Sequence, residues 1–321
     1  MTELDSQCPW SPLDGVHRMY VGATLIIAGL VGVAGNSWLA SSLLMSPLLS
    51  TKAHLIMLNL TLSCLGRGLL AGFPFAGTST LSGRWLFSEG CCQFFAFLQQ
   101  FFNVSQVATL TLLAVERMVV NKGLFPGLKL CVRLYVLAIL SCWVAAVVWA
   151  MPPLLNWGRY GCDPTAMSCS LQWSPGVRGG SMVYNLVFVA LGGIVPATVT
   201  SVCMWCAVGS MGKAFSPSVH LETDYCSQRA FTKMVGVLVP GLYLMWLPQA
   251  LLVLWTLTGL PPPTALIVLA PMSSEASAVV PVIACLTCDV KMRRALLGIL
   301  KKPTTSDTKK GKKKIMLKDI K

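Results

Sequence analysis

Long apolar runs alternate with short polar breaks along the whole chain. Seven runs cover about residues 18–46, 53–78, 92–121, 131–153, 181–208, 229–257 and 264–287. Each is long enough for a helix across a hydrocarbon core, which takes about 20 residues. An eighth stretch, DVKMRRALLGIL from Asp289, mixes Val290, Met292, Leu296, Leu297 and Leu300 with Lys291, Arg293 and Arg294. Such a mixture predicts a helix lying in the membrane interface. The fold class predicted is an all-α membrane protein. It comprises an N-terminal segment (1–17), a seven-transmembrane helix bundle (18–288), a short amphipathic interfacial helix after span 7 (289–300) and a basic disordered tail (301–321). No repeat points to the inverted halves of a transporter.

Composition supports this reading: 55% of residues are hydrophobic and 12% charged, where soluble domains carry roughly a quarter charged residues. The net charge of +13 is unevenly spread. Twelve basic residues and two acids, Asp307 and Asp319, lie between Lys291 and Lys321. A basic tail behind the last span reads as cytoplasmic and attracted to anionic lipids. Nucleic acid is excluded as a partner, because the tail has no aromatics and is tied to a membrane. With an odd number of spans the N-terminus lies outside, in a multi-pass protein of the plasma membrane. Loop charge agrees: Lys52, Lys122, Lys129 and Lys213 fall on the inner side, against Arg84, Arg159 and Arg178 outside. The first fifteen residues carry three acids before any base and do not resemble a cleavable signal, so span 1 serves as its own anchor. The sequons at Asn59 and Asn103 fall inside spans.

Charges within the spans are few. Arg67, Glu275 and scattered Ser, Thr and Asn are too sparse for a transporter or channel. Glu275 sits in MSSEASAVVPVIAC (272–285), where an ionised side chain costs roughly 2.5–3.5 kcal/mol. A carboxylate so placed is a candidate functional group by default. Three roles are open: a protonated, hydrogen-bonded carboxyl, a partner for a ligand cation, or a residue facing a watery cavity.

Short motifs, in order along the chain, decide between the functions a seven-span bundle allows. Span 1 has Gly35-Asn36, and span 3 ends Ala114-Val115-Glu116-Arg117-Met118. Span 4 has Trp143, span 5 Pro196 and span 6 Met245-Trp246-Leu247-Pro248. Trp85-Leu-Phe87 precedes Cys92, which lies twenty-five residues before Arg117. In order and spacing these resemble the rhodopsin-like (class A) G-protein-coupled receptors across all seven spans, with Glu116-Arg117 similar to the E/DRY motif and Trp246-Leu-Pro248 to CWxP. Within that family, WAMPPLLNWGRYGCDPTAMSCSLQW (149–173) resembles the opsin second outer loop. Asn59-Leu-Thr-Leu-Ser63 and the Ser277-Ala278-Val279 end of span 7 point the same way. Among opsins the chain looks closest to the neuropsin and retinal-isomerase-like branches.

The resemblance implies roles for particular residues. Arg117, beside Glu116, would meet a heterotrimeric G protein when span 6 swings outward. Gln228 stands where the usual acidic partner of that arginine would be, which implies a weak resting lock. Trp246 would be the toggle under a ligand. Cys92 and Cys169 would form the outer-loop disulfide, with Cys91 the adjacent alternative, and Cys8 and Cys162 are left with open partners. Asp163 matches the loop carboxylate that many opsins use as a distal counterion. Arrestin would read Thr304, Thr305, Ser306 and Thr308.

The sequence departs from the pattern in four places. Cys64 occupies the position of a sodium-binding aspartate, and no metal site is indicated. Val280-Pro281-Val282-Ile283-Ala284 lacks the Asn and Tyr of NPxxY. Phe95 stands where many vertebrate visual opsins carry their Schiff-base counterion. The fourth is Glu275 itself: aligning Ser277-Ala278-Val279 and Asp289–Arg293 places it at the retinal-attaching lysine, whereas aligning Pro281 alone places Ser274 there. In either register no lysine occurs between Lys233 and Lys291. A carboxylate forms no Schiff base, which requires a primary amine. The expectation is an opsin-like receptor, not an enzyme, with no covalent retinal cofactor and an unidentified small-molecule ligand bordered by Phe95, Trp246 and Glu275. Two alternatives stand beside it: a non-signalling retinoid-binding protein, favoured by Met118 and the degraded span-7 motif, and a photoreceptor using non-covalent retinal.

Overall fold

A computed structural model describes residues 8–45, 52–123, 132–173, 180–211, 219–288 and 290–297. The tail beyond 300, with its lysines and hydroxyls, and residues 1–7 lie outside the described residues. The seven runs form seven rods. They are α1 (Gly15–Met45), α2 and α3 (Ala53–Ala71 and Phe73–Ser82), α4 (Glu89–Lys122), α5 (Val132–Ala150), α6 and α7 (Gly180–Val187 and Val195–Ser210), α8 (Val219–Thr256), and α9 and α10 (Thr264–Ala276 and Val280–Cys288). A last helix, α11 (Val290–Leu296), follows where the interfacial helix was expected. Between α5 and α6 a two-stranded antiparallel hairpin, β1 (Tyr160–Cys162) with β2 (Cys169–Leu171), pairs Cys162 opposite Cys169.

Six of the described rods are long and apolar enough to cross a membrane. The exception is α4, and its position explains why: it packs against α2, α5, α7 and both strands. A rod wrapped by other helices can carry Ser105, Gln106, Thr109, Glu116 and Arg117 on buried faces without meeting lipid. Its ends are set locally. The Ser88 hydroxyl accepts the Cys91 amide at 3.3 Å, and Gly123, at φ 59°, closes the last turn onto the Val119 and Val120 carbonyls.

Polar clasps fix the rods to one another. The Asn36 amide donates to the Ala278 carbonyl at 2.7 Å, joining spans 1 and 7. Asn59 donates to Thr109 at 2.7 Å and accepts from the Trp143 indole at 2.8 Å, joining spans 2, 3 and 4. The sequon asparagine is thus buried within the bundle. Around these clasps Ile56, Met57, Leu60, Leu110, Leu113, Met234 and Leu238 form the apolar core.

Three runs that read as continuous helices are interrupted. Span 2 breaks at Gly72, span 5 widens into a π turn over Phe188–Ile194, and span 7 tightens into a 3-10 turn over Ser277–Val279. Hydrophobic content does not report such changes, because every residue involved remains compatible with a membrane span. The break falls where span 2 passes Glu275, and a Cβ at Gly72 would meet its Oε1 at 2.9 Å.

Two disulfides staple one end of the bundle, Cys92 to Cys169 and Cys8 to Cys162. The first takes Cys92 and leaves Cys91 free. The second resolves the open pair and ties the chain ahead of α1 to the hairpin.

The packing of span 2 against span 3 gives a test. A Cβ at Gly66 of α2 would lie 2.2 Å from the Phe102 ring, whereas one at Gly209 of α7 would meet nothing within 4 Å. Gly66→Ala is expected to destabilise the bundle by about 1–3 kcal/mol through overpacking. Gly209→Ala is expected to be neutral or stabilising by up to about 1 kcal/mol. Thermal unfolding of the two purified variants checks both.

Candidate functional site

At mid-bundle two opposite charges meet. Arg67, near the middle of span 2, and Glu275, near the middle of span 7, are both buried, and Arg67 Nη2 stands 3.7 Å from Glu275 Oε2. The guanidinium is further fixed by neighbours of that carboxylate. Nη2 donates to the Ser274 carbonyl at 2.6 Å and to Ser277 Oγ at 3.5 Å, and Nη1 donates to Ser274 Oγ at 3.2 Å. Ser277 in turn accepts from the Trp246 indole at 3.2 Å and donates to the Ser274 carbonyl at 2.6 Å. A polar chain therefore runs from span 2 through span 7 to the tryptophan of span 6.

The geometry places a potential counter-charge within the chain, Arg67, beside the carboxylate. Both candidates for the lysine-equivalent position, Ser274 and Glu275, lie beside Arg67. The sequence displayed Arg67 as an isolated polar residue; the signal that pairs it with Glu275 is the rule that charges inside membrane spans find each other. Cys64 is buried one turn from Arg67 and free. Among the described residues no group of three or more His, Cys, Asp or Glu could hold a metal ion.

Other candidates lie apart. The Phe95 ring belongs to an aromatic cluster at the disulfide end, 5.1 Å from Trp85 and 5.8 Å from Phe75. It is packing there, as its neighbours Phe94, Phe97 and Phe101 are in a stack leading to Trp143. Asp163 turns inward on its own hairpin, accepting the Thr165 hydroxyl at 2.5 Å and the Thr165 amide at 3.1 Å. Burial pushes its carboxyl above the usual range despite those bonds. It lines a cavity of about 460 Å³ between the two disulfides, with Glu89, Arg159 and Gln172, rather than joining Glu275. Asp163, expected as a loop carboxylate, is thus held on its own turn by Thr165, and Phe95, expected at the ligand pocket, lies in the aromatic cluster at the disulfide end.

At the far end of α4, Arg117 is completely buried. Two of its nitrogens donate to Glu116 at 2.5 Å and Nη1 donates to Gln228 Oε1 at 2.8 Å. Its guanidinium lies 4.7 Å from the centroid of Phe231, within cation–π range. Tyr135 of α5, a partner no motif announced, donates its hydroxyl to Glu116 at 2.8 Å. Gln228 thus makes the contact that an acid makes in the family pattern, without the charge.

Two charge centres joined by the rods of a seven-helix bundle now stand beside known proteins. Residues 35–267 match the family model described as 7 transmembrane receptor (rhodopsin family). The chain belongs to the rhodopsin family of seven-transmembrane receptors. Mouse visual pigment-like receptor peropsin is 26% identical over 301 residues, covering 92% of this chain and 88% of its own length. Human melanopsin is 31% identical over 186 residues, covering 54% of this chain and 38% of its own. The crystal structure of squid rhodopsin superposes with TM-score 0.79 at 20% identity, over 92% of this chain and 90% of that one. This is therefore an opsin-like class A receptor, a multi-pass membrane protein whose relatives are receptors rather than enzymes.

The buried pair yields a stability test. Removing one charge strands the other in a low-dielectric interior, at a cost of about 3–5 kcal/mol, whereas replacing both with apolar side chains is often neutral. Arg67→Met and Glu275→Gln are each expected to lower the thermal midpoint of the receptor sharply. Arg67→Met/Glu275→Leu is expected to recover most of the loss.

Proposed function

We propose that the receptor signals to a heterotrimeric G protein without covalently bound retinal. The observation that carries this reading is the buried Arg117, held by Glu116, Gln228 and Phe231 at the end opposite the disulfides. A guanidinium stored there and tied to α8 is a two-state element: movement of α8 away frees it for a partner. Gln228 contributes a neutral hydrogen bond where a carboxylate would contribute a charge-assisted one, roughly twice as strong. The resting state is accordingly shallow, and basal signalling follows.

The lysine-free span 7 supports the second half of the reading. Glu275 provides no amine, and Arg67 already engages its charge. The basic tail, outside the described residues, faces the cytoplasm on anionic lipids and carries the hydroxyls for arrestin, with the N-terminus outside the plasma membrane.

The test is G-protein activation in cells, in darkness and light, with and without 11-cis-retinal. The wild type is expected to show a basal signal indifferent to both, abolished in Arg117→Ala and lowered in Gln228→Glu, where an ion pair replaces the neutral bond. A signal that requires light and retinal would instead establish a photoreceptor with non-covalent retinal. Retinoid binding with no signal in any condition would establish a retinoid carrier.

A further inference from the structure

We infer that the Arg67–Glu275 pair is a resting clamp built from the chain itself: it cross-links spans 2 and 7 and, through Ser277, holds Trp246 and span 6 in place, so that breaking the pair is the activating step.

Four observations converge on this reading. The Arg67 side chain donates three hydrogen bonds to a single short segment, Ser274 and Ser277, beside the carboxylate it faces. One arginine thus grips most of a turn of span 7, and does so where that span changes from α9 into the 3-10 turn Ser277–Val279. A junction between two helical geometries is a place where a span can re-wind. The same Ser277 hydroxyl that meets Arg67 also accepts the Trp246 indole, so span 6 is coupled to the grip through one oxygen. Trp246 precedes Pro248, one of two prolines inside α8, at which the helix can bend. Finally, space for the carboxylate comes from Gly72, whose missing side chain leaves room that a Cβ would take from Glu275 Oε1.

The pair is suited to switching because a buried ion pair has two distinct states. Joined, the charges satisfy each other; separated, each must find another partner or water, and the bundle must rearrange to provide one. The inference rests on the signalling reading for its consequence, but the clamp itself does not.

The experiment therefore reads two signals on the full-length receptor in lipid nanodiscs. One is hydrogen exchange along residues 240–250 and 274–282; the other is basal nucleotide exchange on added G protein. The variants are Arg67→Met, Glu275→Gln and the charge swap Arg67→Glu/Glu275→Arg. Either single variant is expected to speed amide exchange in both segments and to raise basal nucleotide exchange several-fold, and the swap to return both toward wild type. If a single variant does not fold, the swap alone decides: near-wild-type exchange supports the clamp, and a disordered or unrestored span 7 overturns it. Single variants with wild-type amide exchange in residues 240–250 also overturn it. Faster exchange in both segments with no nucleotide exchange in any protein supports the clamp while removing the G-protein reading.

Discussion

A charge inside a bilayer must be accompanied by its counter-charge, and this constraint organises the receptor. The hydrocarbon core offers no water, so an ion there is held by the protein or by a cavity that the protein lines. Arg67 and Glu275 meet the constraint for each other, 3.7 Å apart, on spans that are distant in sequence. Around them the backbone departs from ideal helix: span 2 breaks at Gly72, and span 7 tightens at Ser277–Val279. The same rule acts at Arg117, where Glu116, Gln228, Phe231 and Tyr135 surround a second guanidinium and determine the register of α4 against α5 and α8.

The two centres divide the work that a ligand and a lock perform in the family pattern. One lies at mid-bundle between spans 2 and 7; the other sits at the end of α4 opposite the disulfides. Between them runs the apolar core of spans 2, 3 and 6, dense enough that displacement of one rod is felt by the next. The aromatic cluster and the two disulfides cap the opposite end and hold the hairpin in place. Phe95 and Asp163 belong to that cap.

Much of this was legible in the sequence. Hydropathy located six of the seven rods to within four residues, since a span must be long and apolar whatever its partners. The exception, α8, begins at Val219, ten residues ahead of the run at 229. Motif spacing picked Cys92 over Cys91 and placed Arg117 at the end of α4. Continuity within the runs was not legible, because Gly72, the π turn and the 3-10 turn leave hydrophobic content unchanged. Pairings between distant spans were not legible either. Arg67 and Glu275 were each visible as anomalies, but contact across 208 positions is decided by how helices rotate in the bundle. Tyr135 gave no signal, being one aromatic at the start of an apolar run. The outer placement of Asp163 followed from Thr165, two residues on, whose hydroxyl and amide fold the carboxylate back onto its own turn.

The measurement that tests the account most directly is the infrared difference spectrum between the wild-type receptor and Glu275→Gln, recorded in membranes. If Glu275 is an ion paired with Arg67, the wild type contains a carboxylate band that the variant lacks, and the same band shifts or vanishes in Arg67→Met. Loss of a protonated carboxyl band instead would show that Glu275 is neutral, that Arg67 is balanced elsewhere, and that no ion pair joins spans 2 and 7.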